Sequence, residues 1–425
     1  MIRTLLALAL LLPAPLAAQE MSAEDAVASK AAREAERDGH TLRAYQLLRA
    51  RAFDADGKPR PGVLYDQWAE MHGVLTNVPG ERVLPPDVTV DTVDPADPGV
   101  ARLAAAVPRD AIAAIVERAR AARVVILNED HASPRDRAFA LEVARALRPL
   151  GYDMLAAETF SNHPDRAQAD ALMTTLARDG YPRIYTGYYT RDPVFGDFVR
   201  QALALGYRPF AHETTDYRPE KDWRVRIARR EEDQANAIGR VLRENPQSKL
   251  LVYVGFSHAT EQPVPPIGDE TAPTKWMATR LKAKTGIDPV TIDQTILNDS
   301  GSGHAGLYPL VAGKLGNRPA VLFDGDRPLV LGQYRGLVDL QVAHPPLARV
   351  NGRPDWLAAM GRTATPIPAE HLPRTGARLV QAFVATEAAD AIPVDQVLVT
   401  AGEAPPMLML PAVPVRYAVQ DAAGR

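Results

Sequence analysis

Short apolar runs alternate with amphipathic helical segments between residues 107 and 298, and this alternation constrains the fold more than any other feature of the sequence. The apolar runs lie at 123–127, 153–157, 207–212, 249–254 and 289–293. Alternation of this kind is typical of strand–helix–strand units that build a largely parallel sheet. We therefore predict an α/β domain over residues 100–298, with a mostly parallel sheet flanked by helices.

The two flanking regions have different patterns. Residues 22–52 are rich in Ala, Glu and Arg, and Ser22 with Asp25 resembles a capping box. We predict a helical segment over 20–99, with a helix from Gly62 to Leu75 and a linker rich in Pro and Asp over 76–99. Strand-like runs separated by Pro and Gly predict a mainly β accessory region over 299–425. The first of these runs is equally suited to extend the central sheet.

The first 19 residues resemble a signal peptide. Arg3 precedes a short apolar run, and Ala17 and Ala18 precede Gln19. The run is too short to leave a transmembrane span in the mature protein. We expect an exported protein, periplasmic or secreted, and the absence of cysteine from all 425 residues is compatible with this location. A formal net charge of −3 provides no field for binding nucleic acid.

Two strand ends resemble each other. The stretch "VVILNEDHAS" at 124–133 and the stretch "LVYVGFSHAT" at 251–260 both carry four apolar residues, then Asn or Gly, and then a histidine three residues later. We interpret them as a weak internal duplication that places His131 and His258 just beyond two strands. Because ligands bind beyond the carboxyl ends of parallel strands, both histidines are candidate functional residues.

Other ionisable residues also follow predicted strands. Glu158 follows the strand at 153–157, His212 ends the strand at 207–212, and Glu213 follows it. A buried Glu129 without a partner would cost several kcal/mol, which favours a functional pairing with His131. Asp130 and Ser133 have a structural alternative, since an acidic residue and a serine are both favoured at a helix N-terminus. The sequence contains no G-x-S-x-G, P-loop or H-E-x-x-H motif.

The unit from Ala122 to Phe160 resembles the erythromycin-esterase-like, ChaN-like and TIKI (TraB) superfamily. Glu129 and His131 match its first motif, and Gly255 and His258 match its second. Glu158 matches the glutamate that follows the next strand, and Arg229 or Arg230 matches the arginine on the preceding helix. One position departs from the pattern, because Asn128 stands where the family usually has Gly. Asn tolerates left-handed backbone angles, so the turn is expected to survive.

The leading hypothesis is a hydrolase that cleaves an ester, lactone or peptide-like bond by direct water attack. His131 is the expected general base, because an imidazole titrates near neutral pH. Glu129 or Glu158 would orient it, His258 would hold the substrate or act as a second acid or base, and Arg230 or Arg229 would stabilise the oxyanion. We expect His212, Glu213, Tyr188 and Tyr189 to contact a small-molecule or peptide substrate.

Alternative functions remain open at this point. His131, His258, Glu129 and Glu158 offer nitrogen and oxygen donors, so a metal-dependent protease is one alternative, although the leading hypothesis requires no cofactor. The stretch "YPRIYTGYYTRD" at 181–192 carries four tyrosines suited to haem iron, so a ChaN-like haem-binding protein is another. The simpler interpretation is a tyrosine-rich loop at the entrance of a site. A third class is a degenerate scaffold, which only Asn128 supports.

Overall fold

The computed structural model describes residues 21–78, 98–158, 160–266, 272–299 and 306–421. The predicted signal peptide and most of the predicted linker lie outside these ranges. Within them, no helix is both long enough and apolar enough to cross a membrane. The chain is a mixed α/β protein with a mostly parallel central sheet flanked by helices and a C-terminal antiparallel β region.

Four helices precede the central sheet. They are α1 (Ala23–Arg37), α2 (Thr41–Ala52), α3 (Val63–Thr76) and α4 (Pro98–Leu103). The Ser22 hydroxyl accepts the backbone N–H of Asp25 at 3.1 Å, which confirms the predicted helix start. Gly39 separates α1 from α2, as its sequence position suggests, and has a φ of 86°.

The central α/β unit alternates strands and helices. Its elements are β1 (Val107–Asp110), α5 (Ala111–Ala119), β2 (Val124–Glu129), α6 (Pro134–Leu147), β3 (Tyr152–Ala157), α7 (Arg166–Asp179), α8 (Pro193–Ala204), β4 (Arg208–Pro209), α9 (Trp223–Glu244), β5 (Lys249–Gly255), α10 (Met277–Thr285) and β6 (Val290–Leu297). Two elements differ from the pattern-based expectation. Strand β4 is shorter, since Pro209 cannot donate to a strand neighbour. Helix α9 begins at Trp223, earlier than the stretch 231–245 whose pattern predicts a helix, because the Asp222 side chain caps it by accepting the N–H of Arg224.

The chain after β6 is mainly β structure. Its elements are α11 (Tyr308–Ala312), β7 (Ala320–Asp324), β8 (Arg327–Pro328), β9 (Leu340–Ala343), β10 (Arg349–Val350), β11 (Arg353–Pro354), β12 (Thr363–Thr365), β13 (Ala377–Val384), β14 (Asp395–Thr400), β15 (Leu408–Leu410) and β16 (Val415–Gln420). Strands β13, β14 and β16 form an antiparallel sheet, and β12 pairs with β15.

The central sheet has the strand order β1-β7-β9-β6-β2-β5-β3-β4 among the described residues, with β8 paired to β7. Strands β9, β6, β2, β5, β3 and β4 run parallel, whereas β1, β7 and β8 pair antiparallel at one edge. The sheet therefore extends beyond residue 298, the predicted end of the α/β unit. Period-two patterns identify strands but do not say which sheet they join.

The central strands are apolar on both faces because helices cover both sides of the sheet. In β2, Val125 and Leu127 pack in the cluster formed with α5, α6 and α8, whereas Val124 and Ile126 pack in the cluster formed with α9 and α10. The strand is consequently a rigid base for the polar residues that follow it.

The N-terminal helices pack against the C-terminal β region. The Gln420 side chain accepts the N–H of Leu42 at 3.0 Å and donates to the carbonyl of Gly39 at 2.7 Å. At the end of α3, a buried Arg353 donates to the Asn77 side chain. Helix α3 also reaches the central unit, where a Cβ on Gly73 would lie 2.2 Å from the carbonyl oxygen of Ala132. Helix α3 therefore contacts the loop that follows β2, while its C-terminal end contacts Arg353.

Candidate functional site

The register of the parallel strands brings the predicted site residues to one edge of the sheet. Glu129 at the end of β2 lies opposite Gly255 at the end of β5. In β3, Ala157 lies opposite Tyr253, so Glu158 follows at the same level. Pairing of Leu155 with Pro209 sets the end of β4 beside that of β3. Four neighbouring strand ends thus deliver polar side chains to one place.

The first unit of the site is a buried histidine–carboxylate pair. His131 Nδ1 lies 2.8 Å from Glu129 Oε1, and both side chains are 2% exposed. Arg137 donates through Nε to Glu129 Oε2 at 2.8 Å and through Nη1 to Asp192 at 2.8 Å. Burial opposes ionisation of Glu129, but Arg137 and His131 outweigh it and hold its pKa below the ordinary value. Because Glu129 accepts the proton on Nδ1, a neutral His131 presents its Nε2 lone pair on the opposite side.

The second unit repeats this arrangement. His258 Nδ1 lies 2.8 Å from Glu231 Oε2, and the same oxygen accepts the backbone N–H of Met277 at 2.7 Å. Burial disfavours a charged His258, but the carboxylates of Glu231 and Glu158 outweigh it and raise its pKa above the ordinary value. The two histidines therefore differ in surroundings although each is oriented through Nδ1.

Glu158 lies between the two histidines. Its Oε2 is 4.0 Å from His131 Nε2, and its Oε1 is 3.7 Å from His258 Nε2. The backbone N–H of Gly255 donates to Oε2, and Arg230 Nη2 donates to Oε1 at 2.7 Å. Burial would raise the pKa of Glu158, but His258 and Arg230 outweigh it and hold this pKa well below its ordinary value. Glu158 is therefore a carboxylate toward which both Nε2 atoms are directed.

Arg230 is the arginine that reaches the site. It donates to Glu213 through Nε at 2.8 Å and through Nη2 at 2.6 Å, in addition to its bond to Glu158. Its Nη1 lies 3.3 Å from His258 Nε2 and donates to no carboxylate among the described residues. Arg229 instead lies near Asp216 and Glu220 at the surface. The sequence left the choice between these two arginines open, and only Arg230 contacts the site.

Aromatic rings cover His131. The Tyr189 ring stacks on the imidazole with centroids 4.0 Å apart and an angle of 20° between the planes. The Phe256 ring meets it edge-on at 5.2 Å, from a residue whose φ of 39° lies in the left-handed region. Tyr188 is half-buried and contacts Tyr189 rather than the imidazole, at a centroid distance of 5.2 Å. The histidine is consequently shielded from solvent in this conformation.

Asn128, the departure from the family pattern, lies inside β2 and does not have a positive φ. The backbone at this position therefore does not use the tolerance of Asn for left-handed angles on which the expectation relied. Its side chain donates to Asp293 at 2.9 Å and to the Phe256 carbonyl at 3.0 Å, and it accepts the N–H of Gln294 at 2.8 Å. Asn128 thus links β2 to β6 and fixes the backbone beside the Phe256 ring.

Asp130 and Ser133 have structural contacts at the start of α6, as the structural alternative predicted, with one difference in the hydrogen bonding of Ser133. Ser133 occupies the N-cap position before Pro134, but its hydroxyl donates to the Asp136 carboxylate at 2.9 Å and does not cap a backbone N–H. The Asp130 side chain accepts the N–H of Ala132 at 3.0 Å. Both residues shape the turn that positions His131.

Several site residues were missed in the sequence. They are Arg137, Asp192, Glu231 and Gln234, which pair with Glu129, Arg137, His258 and Glu213 respectively. For α9 a signal existed, because positions 230, 231 and 234 share one helical face. Nothing local marks Arg137 or Asp192, since their partners are distant in sequence.

The donor set does not favour a metal ion. No group of three or more His, Asp or Glu side chains in the described ranges is placed to hold one. The Nδ1 atoms of both histidines are occupied by carboxylates, and Arg230 and Gly255 occupy Glu158. The four tyrosines of the stretch 181–192 do not share one environment. Tyr185 is largely exposed, and the Tyr181 hydroxyl contacts Arg183 and the N–H of Ala388.

No protein-family model matches the chain, and no curated protein matches it. Among solved structures, it is similar to the type III effector HopBA1, with a TM-score of 0.33 and 15% identity over 59% of this chain and 99% of that one. A structure described as bacterial protein toxins is similar with a TM-score of 0.32 and 16% identity, over 63% of this chain and 57% of that one. RRSP, a MARTX toxin effector domain from Vibrio vulnificus CMCP6, is similar with a TM-score of 0.30 and 16% identity, over 58% of this chain and 54% of that one. Similarity this low carries no conclusion about function.

Proposed function

We propose that this chain is an exported hydrolase of an ester, lactone or peptide-like bond, similar to the erythromycin-esterase-like and ChaN-like superfamily. One observation carries the proposal. Two histidines are each oriented through Nδ1 by a glutamate, and their Nε2 atoms lie 4.0 and 3.7 Å from the carboxylate of Glu158. Paired imidazoles in different electrostatic surroundings are suited to separate base and acid roles.

His131 acts as the general base. Glu129 holds the proton on Nδ1, so Nε2 takes a proton from a water molecule as the water oxygen attacks the carbonyl carbon. The ionised Glu129 stabilises the imidazolium that forms. Arg137 and Asp192 keep the Glu129 carboxylate in place during this step.

Arg230 and His258 act on the other side of the reacting carbon. Arg230 Nη1 lies 3.3 Å from His258 Nε2 and donates to it when the imidazole is neutral. When His258 carries its second proton this bond is broken, and Nη1 turns to stabilise the oxyanion of the tetrahedral intermediate. As the carbon–oxygen or carbon–nitrogen bond breaks, the leaving atom takes a proton from Nε2 of His258. The raised pKa of His258 keeps that proton available near neutral pH.

Substrate entry requires movement of the covering groups. The side chains of His131 and His258 are 2% and 7% exposed, and Tyr189 stacks on His131. Helix α3 packs its Gly73 backbone against Ala132 in the same loop. Closure of this kind excludes water once the substrate is bound.

The test compares wild type with His131→Ala on para-nitrophenyl acetate, a series of γ- and δ-lactones, and casein. We expect His131→Ala to lower kcat/KM on the accepted class by a factor of about 10² to 10⁴, the usual contribution of a general base. His40→Ala is the control, because His40 is exposed and far from these strand ends in the sequence. Equal turnover by wild type and His131→Ala contradicts the proposal.

Haem is added to the same proteins as a second measurement. A Soret band from wild type that disappears in Tyr189→Phe, together with absence of hydrolysis, replaces the proposal with a haem-binding function. Sequencing the N-terminus of the protein recovered from the periplasm tests export, since cleavage is expected near Ala18 or Gln19.

A further inference from the structure

His212 is a buried histidine whose ring makes no hydrogen bond. It is 0% exposed, and neither Nδ1 nor Nε2 has a partner among the described residues. A buried polar group left without a partner costs about 1–3 kcal/mol. Buried groups of this kind are normally satisfied by an ordered water molecule or a ligand.

The position of His212 connects it to the candidate active site. Strand β4 is the parallel neighbour of β3, and pairing of Leu155 with Pro209 carries His212 to the level of Glu158. The charged groups that act on its ring are Glu213, Glu158, His258 and Arg230. The ring therefore borders the proposed reaction centre on the β4 side.

A second unpartnered atom belongs to a side chain that contacts the next residue, Glu213. Gln234 Nε2 lies 3.2 and 3.3 Å from the two oxygens of Glu213, the residue that follows His212. Its amide oxygen, Oε1, is buried and has no partner in the described part of the chain. His212 and Gln234 thus both have unused hydrogen-bonding atoms, and both are linked to the charged group formed by Glu213 and Arg230.

The charge state of His212 limits what it can bind. Burial lowers its pKa to about 4, so the ring is neutral at physiological pH and offers one N–H donor and one lone pair. Gln234 adds a further acceptor. A hydroxyl or amide can both donate and accept, whereas a carboxylate only accepts and an ammonium only donates.

We propose that His212 and Gln234 bind an uncharged hydroxyl or amide group of the substrate, and that the substrate of the proposed hydrolysis carries such a group near the bond that breaks. This inference rests on the proposed function. It adds a substrate class, since sites with buried hydrogen-bonding groups reject analogues that lack the matching group.

The test uses compound pairs that differ by one hydroxyl, α-hydroxy-γ-butyrolactone against γ-butyrolactone and ethyl lactate against ethyl propionate. We expect wild type to prefer the hydroxylated member by about tenfold or more in kcat/KM. His212→Phe retains the ring and removes its nitrogen atoms, so it should abolish the preference, measured as the ratio of kcat/KM for the hydroxylated compound to kcat/KM for the deoxy compound. His40→Phe is the matched control at an exposed histidine.

A binding measurement separates this inference from the proposed function. Calorimetry on His131→Ala measures affinity for both lactones without turnover. Preference for the hydroxylated lactone that is lost in the double variant with His212→Phe supports the inference even where no hydrolysis is seen. Absence of any preference in both measurements, or a preference that survives His212→Phe, overturns it and leaves His212 contacting water alone.

Discussion

Gly255 lies so close to His131 that position 255 has no room for a side chain. A Cβ on Gly255 would lie 2.4 Å from Cε1 and 2.5 Å from Nε2 of the imidazole, and 2.9 Å from Glu158 Oε2. Neither the imidazole nor Glu158 is free to retreat, since Glu129 and Arg230 hold them. The end of β5 is therefore shaped around the Cε1–Nε2 edge of His131.

We predict that Gly255→Ala displaces His131 from this position. Overpacking of this kind typically costs 1–3 kcal/mol, roughly, in the free energy of unfolding. We expect kcat/KM to fall by about 10² or more, because an ångström of displacement has effects of that size. Urea unfolding and turnover measure the two effects. Gly313→Ala is the control, since a Cβ there meets no atom within 4 Å, and equal behaviour of the two variants would contradict the prediction.

The fold was largely predictable because a strand that is buried on both faces has a continuous run of apolar residues in its sequence. The runs before Glu129 and Glu158 and the run before Gly255 are all strands of one sheet. The assignment of β7 and β9 to this sheet was not fixed by the pattern. Strand neighbours depend on long-range packing, which local periodicity does not record.

The candidate site was predictable mainly where its residues lie at strand ends, and of its helix residues only Arg230 was named, as one of two choices and through the family resemblance. Glu129, His131, Glu158 and His258 were identified because parallel strands deliver their ends to one edge. Arg137 reaches Glu129 from α6 and Asp192 reaches Arg137 from the start of α8, across 55 residues of sequence. Such partners are found only once the helices have been packed.

Asn128 provides a second prediction, since a glycine at this position would follow the family pattern but remove three side-chain hydrogen bonds, two of them buried. Asn128→Gly leaves the backbone N–H of Gln294 and the Phe256 carbonyl without their present partners. We expect the free energy of unfolding to fall by about 2–4 kcal/mol, from lost bonds and an unfilled space.

Urea denaturation of Asn128→Gly and Asn351→Gly measures the difference. Asn351 is exposed and has a φ of 53°, so glycine there relieves backbone strain and should leave stability unchanged or slightly higher. A loss below about 0.5 kcal/mol in Asn128→Gly would refute the structural role of the side chain.

The raised pKa of His258 gives a pH-dependent prediction. The folded protein binds the His258 proton more tightly than the unfolded chain does, because the pKa of His258 is near ~6.5 in the unfolded chain and higher in the folded protein. The stabilisation is complete below ~6.5 and is lost as pH rises through the higher folded pKa. The free energy of unfolding of wild type should therefore decline above neutral pH.

Glu231→Gln should weaken that decline, because it removes the carboxylate that contacts His258 Nδ1 at 2.8 Å. Glu232→Gln is the matched control on the neighbouring position, where the carboxylate pairs with Arg280 at the surface. Urea unfolding from pH 5.5 to 9, roughly, provides the comparison across the range where His titrates. Identical pH profiles for wild type and Glu231→Gln would show that Glu231 does not hold the His258 proton.

Arg230 and Arg229 offer the sharpest comparison, because adjacent arginines on α9 have different surroundings. Arg230 donates in a fork to Glu213 and also to Glu158, whereas Arg229 lies 3.4 and 3.7 Å from surface carboxylates. Lysine keeps the charge but cannot reproduce a planar fork. Arg230→Lys should cost about 1–3 kcal/mol in stability, because buried carboxylate oxygens lose hydrogen-bond donors, and it should lower kcat/KM through the loss of the proposed oxyanion contact. Arg229→Lys should change either quantity little, since exposed pairs contribute at most about 1 kcal/mol. If both lysine variants unfold at the same urea concentration and turn over substrate equally, Arg230 has neither role.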